Sequence, residues 1–104
     1  MRNKIVLKKI EDVRLLLDLL KPYEEYISTL DEYSCEYEDL CERVVEYFCE
    51  IEEFLIGSEP INSSNLANSH IRTSCYWDYI ANKCSFEDLL SNIRKYSKNR
   101  KFEF

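Results

Sequence analysis

The longest run of regularly spaced apolar residues lies between Cys35 and Ile56. Its apolar positions recur three or four residues apart, which is the spacing of one face of an α-helix. These positions are Tyr37, Leu40, Cys41, Val44, Phe48, Ile51 and Leu55. Carboxylates recur at the same spacing on the opposite face, at Glu36, Asp39, Glu42, Glu46, Glu50 and Glu53. The pattern predicts one amphipathic helix, with Ser34 as its N-cap and Gly57 as the residue that ends it.

Two shorter helices are predicted before this central stretch. The apolar positions of the first are Ile10, Val13, Leu16, Leu17 and Leu20. We expect this helix to stop near Leu20, because the residue before Pro22 is pushed out of the α conformation. Pro22 can then begin a second helix over residues 23–33. The apolar side of that helix holds Tyr23, Tyr26, Ile27 and Leu30.

The pattern of residues 58–104 predicts a loop and two further helices. Residues 58–69 contain Ser, Asn and Pro60, which favour a loop. A fourth helix is expected over about residues 66–82, although Ser74 could cap a separate helix and break it there. Ser85 followed by Asp88 resembles a capping box and begins a last helix. Together the segments predict an all-α bundle of about five helices.

The composition agrees with a single helical domain over residues 1–104. A chain of 104 residues can enclose one modest core but not two. Its 45% apolar and 13% aromatic residues are typical of a folded protein rather than a disordered acidic tail. One Gly and two Pro are too few for the turns of an all-β chain, which also favours helices.

The net charge of −6 is unevenly distributed along the chain. Residues 23–59 hold thirteen acidic residues and one basic residue, Arg43, which gives this segment a net charge of −12. Such a surface repels nucleic acid and anionic lipid and attracts basic proteins. A solvated helix face would explain the same charges. Like charges four residues apart cost a few tenths of a kcal/mol, however, and the sequence does not relieve this cost with Lys or Arg.

The cysteines and the single histidine give no recognisable catalytic or metal motif. The sequence has five cysteines and no signal peptide, so we expect reduced thiols in a cytoplasmic protein. No Cys or His pair has zinc-ligand spacing, and we predict neither a metal nor another cofactor. His70 could pair with Cys41 or Cys84, but one Gly is too few for an oxyanion loop or a phosphate loop. We therefore expect no enzymatic activity.

The aromatic run at residues 75–79 has two interpretations. Tyr76 can pack in the core together with Tyr79 and Ile80, which leaves Trp77 toward the other side of its helix beside Asp78. Alternatively, Tyr76 and Trp77 are anchors of a protein interface, a role in which Tyr and Trp are enriched.

The acidic residues 36–53 and the aromatic run 76–79 give the chain a character that resembles bacterial immunity proteins, which neutralise colicin-type nucleases or toxins of contact-dependent growth inhibition. The Tyr-Tyr-Pro pattern of the immunity proteins of DNase colicins is missing from the sequence, so that subfamily is not expected. The resemblance implies a monomer that binds a basic nuclease toxin 1:1 and covers its cationic cleft. It implies no contact with nucleic acid or membrane. The expected contact residues are Glu36, Asp39, Glu42, Glu46, Glu50, Glu53, Tyr76 and Trp77.

A second function class makes use of the same carboxylates. A phage-encoded inhibitor of the anti-CRISPR or anti-restriction type mimics nucleic acid and also requires an acidic face. Binding by such a mimic should depend strongly on salt and little on aromatic anchors. An immunity protein should tolerate the loss of scattered carboxylates and fail when its central anchors are removed.

Overall fold

The computed structural model describes residues 6–57 and 63–97, with side chains for all of these except 63–66. This part of the chain forms four α-helices and contains no strand. They are α1 (Ile10–Ile27), α2 (Cys35–Ile56), α3 (Ser63–Ile80) and α4 (Phe86–Lys95). The all-α prediction is confirmed, with four helices in the described residues instead of about five.

The missing fifth helix results from Pro22, which lies inside α1 and does not end it. The second predicted helix over residues 23–33 is therefore wrong. Its first five residues continue α1, and residues 28–34 form turns. Two hydroxyl groups bond the last carbonyls of α1, with Ser28 Oγ donating to the carbonyl of Glu25 and Thr29 Oγ1 to that of Tyr26, both at 2.7 Å.

Packing explains why α1 continues past its proline. Proline inside a helix removes one hydrogen bond and costs about 3 kcal/mol or more. Leu17 and Leu20 before Pro22 and Ile27 after it are all buried. Continuing the helix places Ile27 in line with the earlier core residues, and burial of a side chain of this size contributes about 1.5–3 kcal/mol. Burial of Ile27 therefore offsets much of the cost of the proline, and α1 continues through it.

The central helix agrees with its prediction at both ends and along its buried face. Ser34 Oγ accepts a hydrogen bond from the N–H of Tyr37 at 3.1 Å. Gly57 ends the helix with a positive φ of 77°, a conformation that glycine adopts without steric strain. The fully buried side chains of α2 are Val44, Phe48, Ile51, Leu55 and Ile56.

Helix α3 begins earlier than expected and has no break. It starts at Ser63, so the second half of the predicted loop is helical, while residues 58–62 lie outside the described part of the chain. The alternative of a break near Thr73 and Ser74 does not occur. Thr73 Oγ1 donates a hydrogen bond to the carbonyl of Ser69 at 3.0 Å, which satisfies the hydroxyl within the helix.

A left-handed residue separates α3 from α4. Asn82 has φ 62°, its N–H bonds the carbonyl of Tyr79 at 3.0 Å, and the N–H of Lys83 bonds that of Asp78 at 2.8 Å. This pair of bonds is the Schellman arrangement that stops a helix. Ser85 then caps α4, with its Oγ accepting from the N–H of Asp88 at 3.1 Å, as its position in the sequence predicts.

The core lies where all four helices meet. Helix α1 contacts both α2 and α3, and α3 also contacts α4. Phe48 of α2 stacks on Tyr76 of α3 with ring centroids 5.1 Å apart, and the ring of Trp77 meets Phe48 edge-on at 5.2 Å. Leu89 and Ile93 close the core from α4. Aromatic pairs in these geometries add about 0.5–1.5 kcal/mol to the burial of their area.

A polar network joins α1 to α3 at the edge of this core. The Tyr79 hydroxyl donates a hydrogen bond to Asp18 Oδ1 at 2.7 Å, and Lys21 Nζ lies 3.3 Å from the same oxygen. Lys21 Nζ also lies 4.7 Å from the centroid of the Tyr79 ring. Burial and the hydrogen bond to the Asp18 carboxylate raise the pKa of Tyr79 to about 12.

This raised pKa predicts a loss of stability at high pH. The neutral Tyr79 hydroxyl stabilises the folded state fully below the unfolded pKa of 10.0, and the contribution disappears as pH rises toward about 12. Between pH 9 and about pH 12 the wild type should therefore lose more unfolding free energy than Tyr79→Phe does. Urea unfolding of both proteins across this range measures the difference, and identical pH dependence would contradict the assigned network.

One buried cation connects α2, α3 and the end of α4. Arg72 of α3 has 3% of its side chain exposed, and its Nε donates to Glu52 Oε1 of α2 at 2.6 Å. One of its terminal nitrogens donates to the carbonyl of Tyr96, the C-cap of α4. A cation at a helix C-terminus also interacts favourably with the helix dipole. Arg72 therefore ties three helices together through its single guanidinium group.

We predict that Arg72→Met destabilises the protein by about 3 kcal/mol. Breaking a buried pair costs roughly 3–5 kcal/mol. The lower end of that range applies because Glu52 keeps 21% of its side chain exposed and can be hydrated. The matched control is Arg43→Met, whose ion pair with Asp39 is largely exposed and should cost less than about 1 kcal/mol. Urea unfolding measures the free energy of unfolding of both variants. Equal losses would contradict the role of Arg72 in joining the three helices.

Candidate partner-binding surface

Five of the six predicted carboxylates lie on the exposed face of α2. Glu36, Asp39, Glu42, Glu46 and Glu53 are exposed, and Glu38 is exposed beside them. Glu50 differs, since it is half-buried and one of its carboxylate oxygens is enclosed. The sequence pattern therefore located this face correctly but included one residue that turns partly inward.

Two of these carboxylates have identified partners within the fold. Arg43, the only basic residue of α2, lies 3.3 Å from Asp39, with both side chains mostly exposed. The Tyr26 hydroxyl of α1 donates a hydrogen bond to Glu36 Oε1 at 2.7 Å, and this bond raises the pKa of Tyr26. Glu36 is therefore held in place by the neighbouring helix, whereas an exposed pair such as Asp39 with Arg43 contributes little rigidity.

An open groove of about 570 Å³ runs along the same helix. Half-buried apolar side chains and one exposed thiol form its floor, and carboxylates form its wall. The floor consists of Tyr37, Cys41, Val45 and the exposed Cys49, and the acidic residues are Glu32, Glu38, Glu42 and Glu46. An apolar floor bordered by carboxylates fits a side chain that combines an aliphatic stem with a cationic head, as Lys and Arg do.

The thiols near this groove and in α3 are held in their protonated form. Burial raises the pKa of Cys41, and burial together with the charges of Glu52 and Glu46 raises that of Cys49. Burial raises the pKa of Cys75 and Cys84 in the same way. A nucleophilic cysteine requires the opposite shift, toward thiolate. The pKa shifts of these four cysteines therefore do not favour nucleophilic reactivity.

The two predicted aromatic anchors on α3 lie inward. Tyr76 is 0% exposed and stacks on Phe48, and burial raises its pKa well above 10.0. Trp77 is half-buried and also packs on Phe48, so the expectation that it lies toward solvent beside Asp78 is corrected. The interpretation that places Tyr76, Tyr79 and Ile80 in the core is confirmed. The reason is geometric, since Phe48 is large enough to contact two successive residues of α3.

Large apolar side chains are instead exposed on α1. Leu15, Leu19, Tyr23 and Tyr26 are 54%, 69%, 53% and 49% exposed. We call these four residues the outer stripe. The sequence interpretation missed it, although residues 15–20 read LLLDLL, which is more leucine than one helix face can bury. Tyr26 also donates to Glu36, so the outer stripe and the acidic face of α2 adjoin.

No other chemistry is concentrated in the described residues. Within them, no group of three or more His, Cys, Asp or Glu side chains is arranged to hold a metal ion. His70 is exposed on α3. None of the helices in the described part of the chain is long and apolar enough to cross a membrane.

Comparison of the chain with protein-family models, with curated proteins and with solved structures finds no match. Functional inference therefore depends on the surface itself.

The raised thiol pKa values predict slow alkylation in the folded protein. At pH 8, iodoacetamide should modify Cys41, Cys75 and Cys84 several-fold more slowly in the native protein than in urea, because less thiolate is present and access is reduced. The exposed Cys49 should also react more slowly, through its smaller thiolate fraction alone. Mass spectrometry of the peptides follows each site separately, with exposed Cys35 as the internal reference. If one of these four thiols reacts faster in the native protein than in urea, it is an activated nucleophile, and an enzymatic function would then be favoured.

Proposed function

We propose that this chain is an immunity protein that binds a basic nuclease toxin and covers its active-site cleft. The observation that carries the proposal is the exposed carboxylate face of α2 with its apolar-floored groove. A nuclease cleft is lined with Lys and Arg that neutralise phosphates, and carboxylates can occupy the same positions. The groove accepts the aliphatic part of such side chains, which phosphate contacts alone would not require.

The proposed complex contains one copy of each protein and forms in the cytoplasm. A field of this sign accelerates encounter with a basic protein by roughly 10–10³. The five cysteines are unpaired with one another, as thiols are in a reducing compartment. Inhibition requires no metal or cofactor, because occlusion of the cleft is sufficient.

Mimicry of nucleic acid is the alternative that uses the same face. The outer stripe favours an immunity function, because exposed Leu and Tyr side chains add nothing to the imitation of a phosphate backbone, whereas apolar and aromatic anchors supply affinity in protein interfaces. A mimic would bind complexes that process nucleic acid instead of a single toxin.

Expression with the products of the adjoining genes tests the proposal. Each adjoining open reading frame is expressed in a sensitive host with and without this chain, and growth is measured. We expect one basic product to be toxic and to be neutralised when this chain is present, with a 1:1 complex on size-exclusion chromatography. If no adjoining product is both toxic and neutralised, the immunity proposal is wrong.

We predict that charge removal on α2 slows formation of this complex. Glu38→Gln with Glu42→Gln should lower the association rate constant by about three- to tenfold at low salt and flatten its salt dependence, because steering weakens while the apolar contacts remain. Surface plasmon resonance at several salt concentrations provides the rates.

The matched control removes the same charge elsewhere. Asp78→Asn with Glu87→Gln changes two exposed acidic residues on α3 and α4. This variant should associate nearly as fast as the wild type. Equal slowing of both double variants would show that total charge matters and that the face of α2 does not.

A further inference from the structure

Helix α1 carries two separate apolar faces. The inner face holds Val13, Leu16, Leu17, Leu20 and Ile27, all of which are buried. At about 100° per residue, the outer stripe is centred roughly 110° around the helix from that inner face. The stripe spans three turns and is exposed along its whole length. Its residues thus contribute nothing to the core and lie in a straight row on the surface.

At its Tyr23 and Tyr26 end, the outer stripe is continuous with acidic surface. Glu11 and Glu25 border it on α1 and are exposed, and Glu36 borders it on α2 through the hydrogen bond from Tyr26. Arg14 and Lys21 lie on the side of α1 that carries Asp18, with which Lys21 pairs, and Lys8 and Lys9 are exposed ahead of the Leu15 end of the stripe. Apolar patches of several hundred Å² rimmed by polar residues mark sites of protein interaction.

Size and charge together specify the partner. Four half-exposed side chains of this kind present on the order of 400 Å², about half of the roughly 800 Å² that each partner contributes to a stable interface. A full contact therefore extends onto the neighbouring surface, which is acidic. Two copies paired through the Tyr23 and Tyr26 ends of their stripes would bring carboxylates against carboxylates, and like charges facing each other in an interface cost several kcal/mol. A basic protein satisfies both requirements.

We infer that the outer stripe is the apolar docking surface for a basic protein partner, with Leu15, Leu19, Tyr23 and Tyr26 seated against an apolar centre that is surrounded by Lys and Arg. The role of that partner as a toxin rests on the proposed function, but its contact with the stripe does not. In this arrangement α1 supplies the anchors that Tyr76 and Trp77 cannot supply, and α2 supplies the steering charge.

Site-specific photo-crosslinking in the source cells tests the contact and identifies the partner in one experiment. The photoreactive amino acid p-benzoyl-phenylalanine replaces Leu19 in one variant and Ser91, exposed on α4, in the control. We expect an adduct from position 19, missing from position 91, whose protein component has an isoelectric point above about 9. The inference would be overturned by adducts formed only with a second copy, by adducts formed only with acidic proteins, or by the lack of any adduct.

Affinity measurements with the crosslinked protein, produced in recombinant form, separate anchoring from steering. Leu15→Ser with Leu19→Ser should weaken binding about 100-fold, mainly through faster dissociation and with unchanged salt dependence. Both positions are exposed, so the thermal unfolding curve should match that of the wild type. A partner that binds the double variant with wild-type affinity would show that the stripe is not the docking surface.

The outcomes distinguish this inference from the immunity proposal. If an adjoining gene product is toxic and neutralised but the double serine variant protects equally well, the function stands and the stripe is rejected. The opposite result has no toxic adjoining product, while position 19 still crosslinks a basic protein that the double variant binds weakly. In that case the outer stripe is supported as a docking surface and the immunity function is rejected.

Discussion

The buried guanidinium of Arg72 is the interaction on which the arrangement of the helices depends. Helix α2 meets α3 over fewer residues than α1 does, so the ion pair between Arg72 and Glu52 supplies much of the specificity of that contact. Apolar residues at both positions could give similar stability, but they would define the rotation of α2 about its axis less specifically than the ion pair does. The buried residues of α2 already define which of its faces lies outside. The ion pair with Arg72 draws Glu52 inward and so helps to fix the orientation of the acidic face.

In the proposed complex, the acidic face and the outer stripe divide the tasks of recognition between two helices. Charges on α2 act over about a Debye length and chiefly affect how fast a partner arrives. Apolar side chains on α1 act only at contact and chiefly affect how long it stays. The groove floor on α2, with Cys41 and Val45, lets the charged helix also contribute some apolar area. The Tyr26 hydroxyl bonds Glu36 where α1 and α2 adjoin. The charges proposed to speed association and the apolar side chains proposed to slow dissociation therefore lie on one continuous surface.

Periodicity predicted the helices wherever local and tertiary preferences agree. Helix α2 follows its pattern because its apolar stripe, Ser34 and Gly57 all favour the same boundaries. The periodicity failed at Pro22, where burial of Ile27 offsets the backbone cost, and at Trp77, which packs on Phe48 of another helix instead of lying on the far side of α3. The outer stripe could have been found from residues 15–20. Which of those leucines turn inward depends on the packing of α1 against α2 and α3, which no single segment encodes.

The hydrogen bond between Tyr26 and Glu36 has a consequence for discrimination among related partners. Any protein that covers the Tyr26 ring also removes water from the Glu36 carboxylate, since their oxygens lie 2.7 Å apart. One hydroxyl donor does not replace the hydration of a full negative charge, so the partner must offer a cation at that point. A relative with the same shape but a neutral residue there would leave a dehydrated charge and bind more weakly. If a partner binds this surface as proposed, the Glu36 carboxylate would help to reject relatives of that partner that lack the cation.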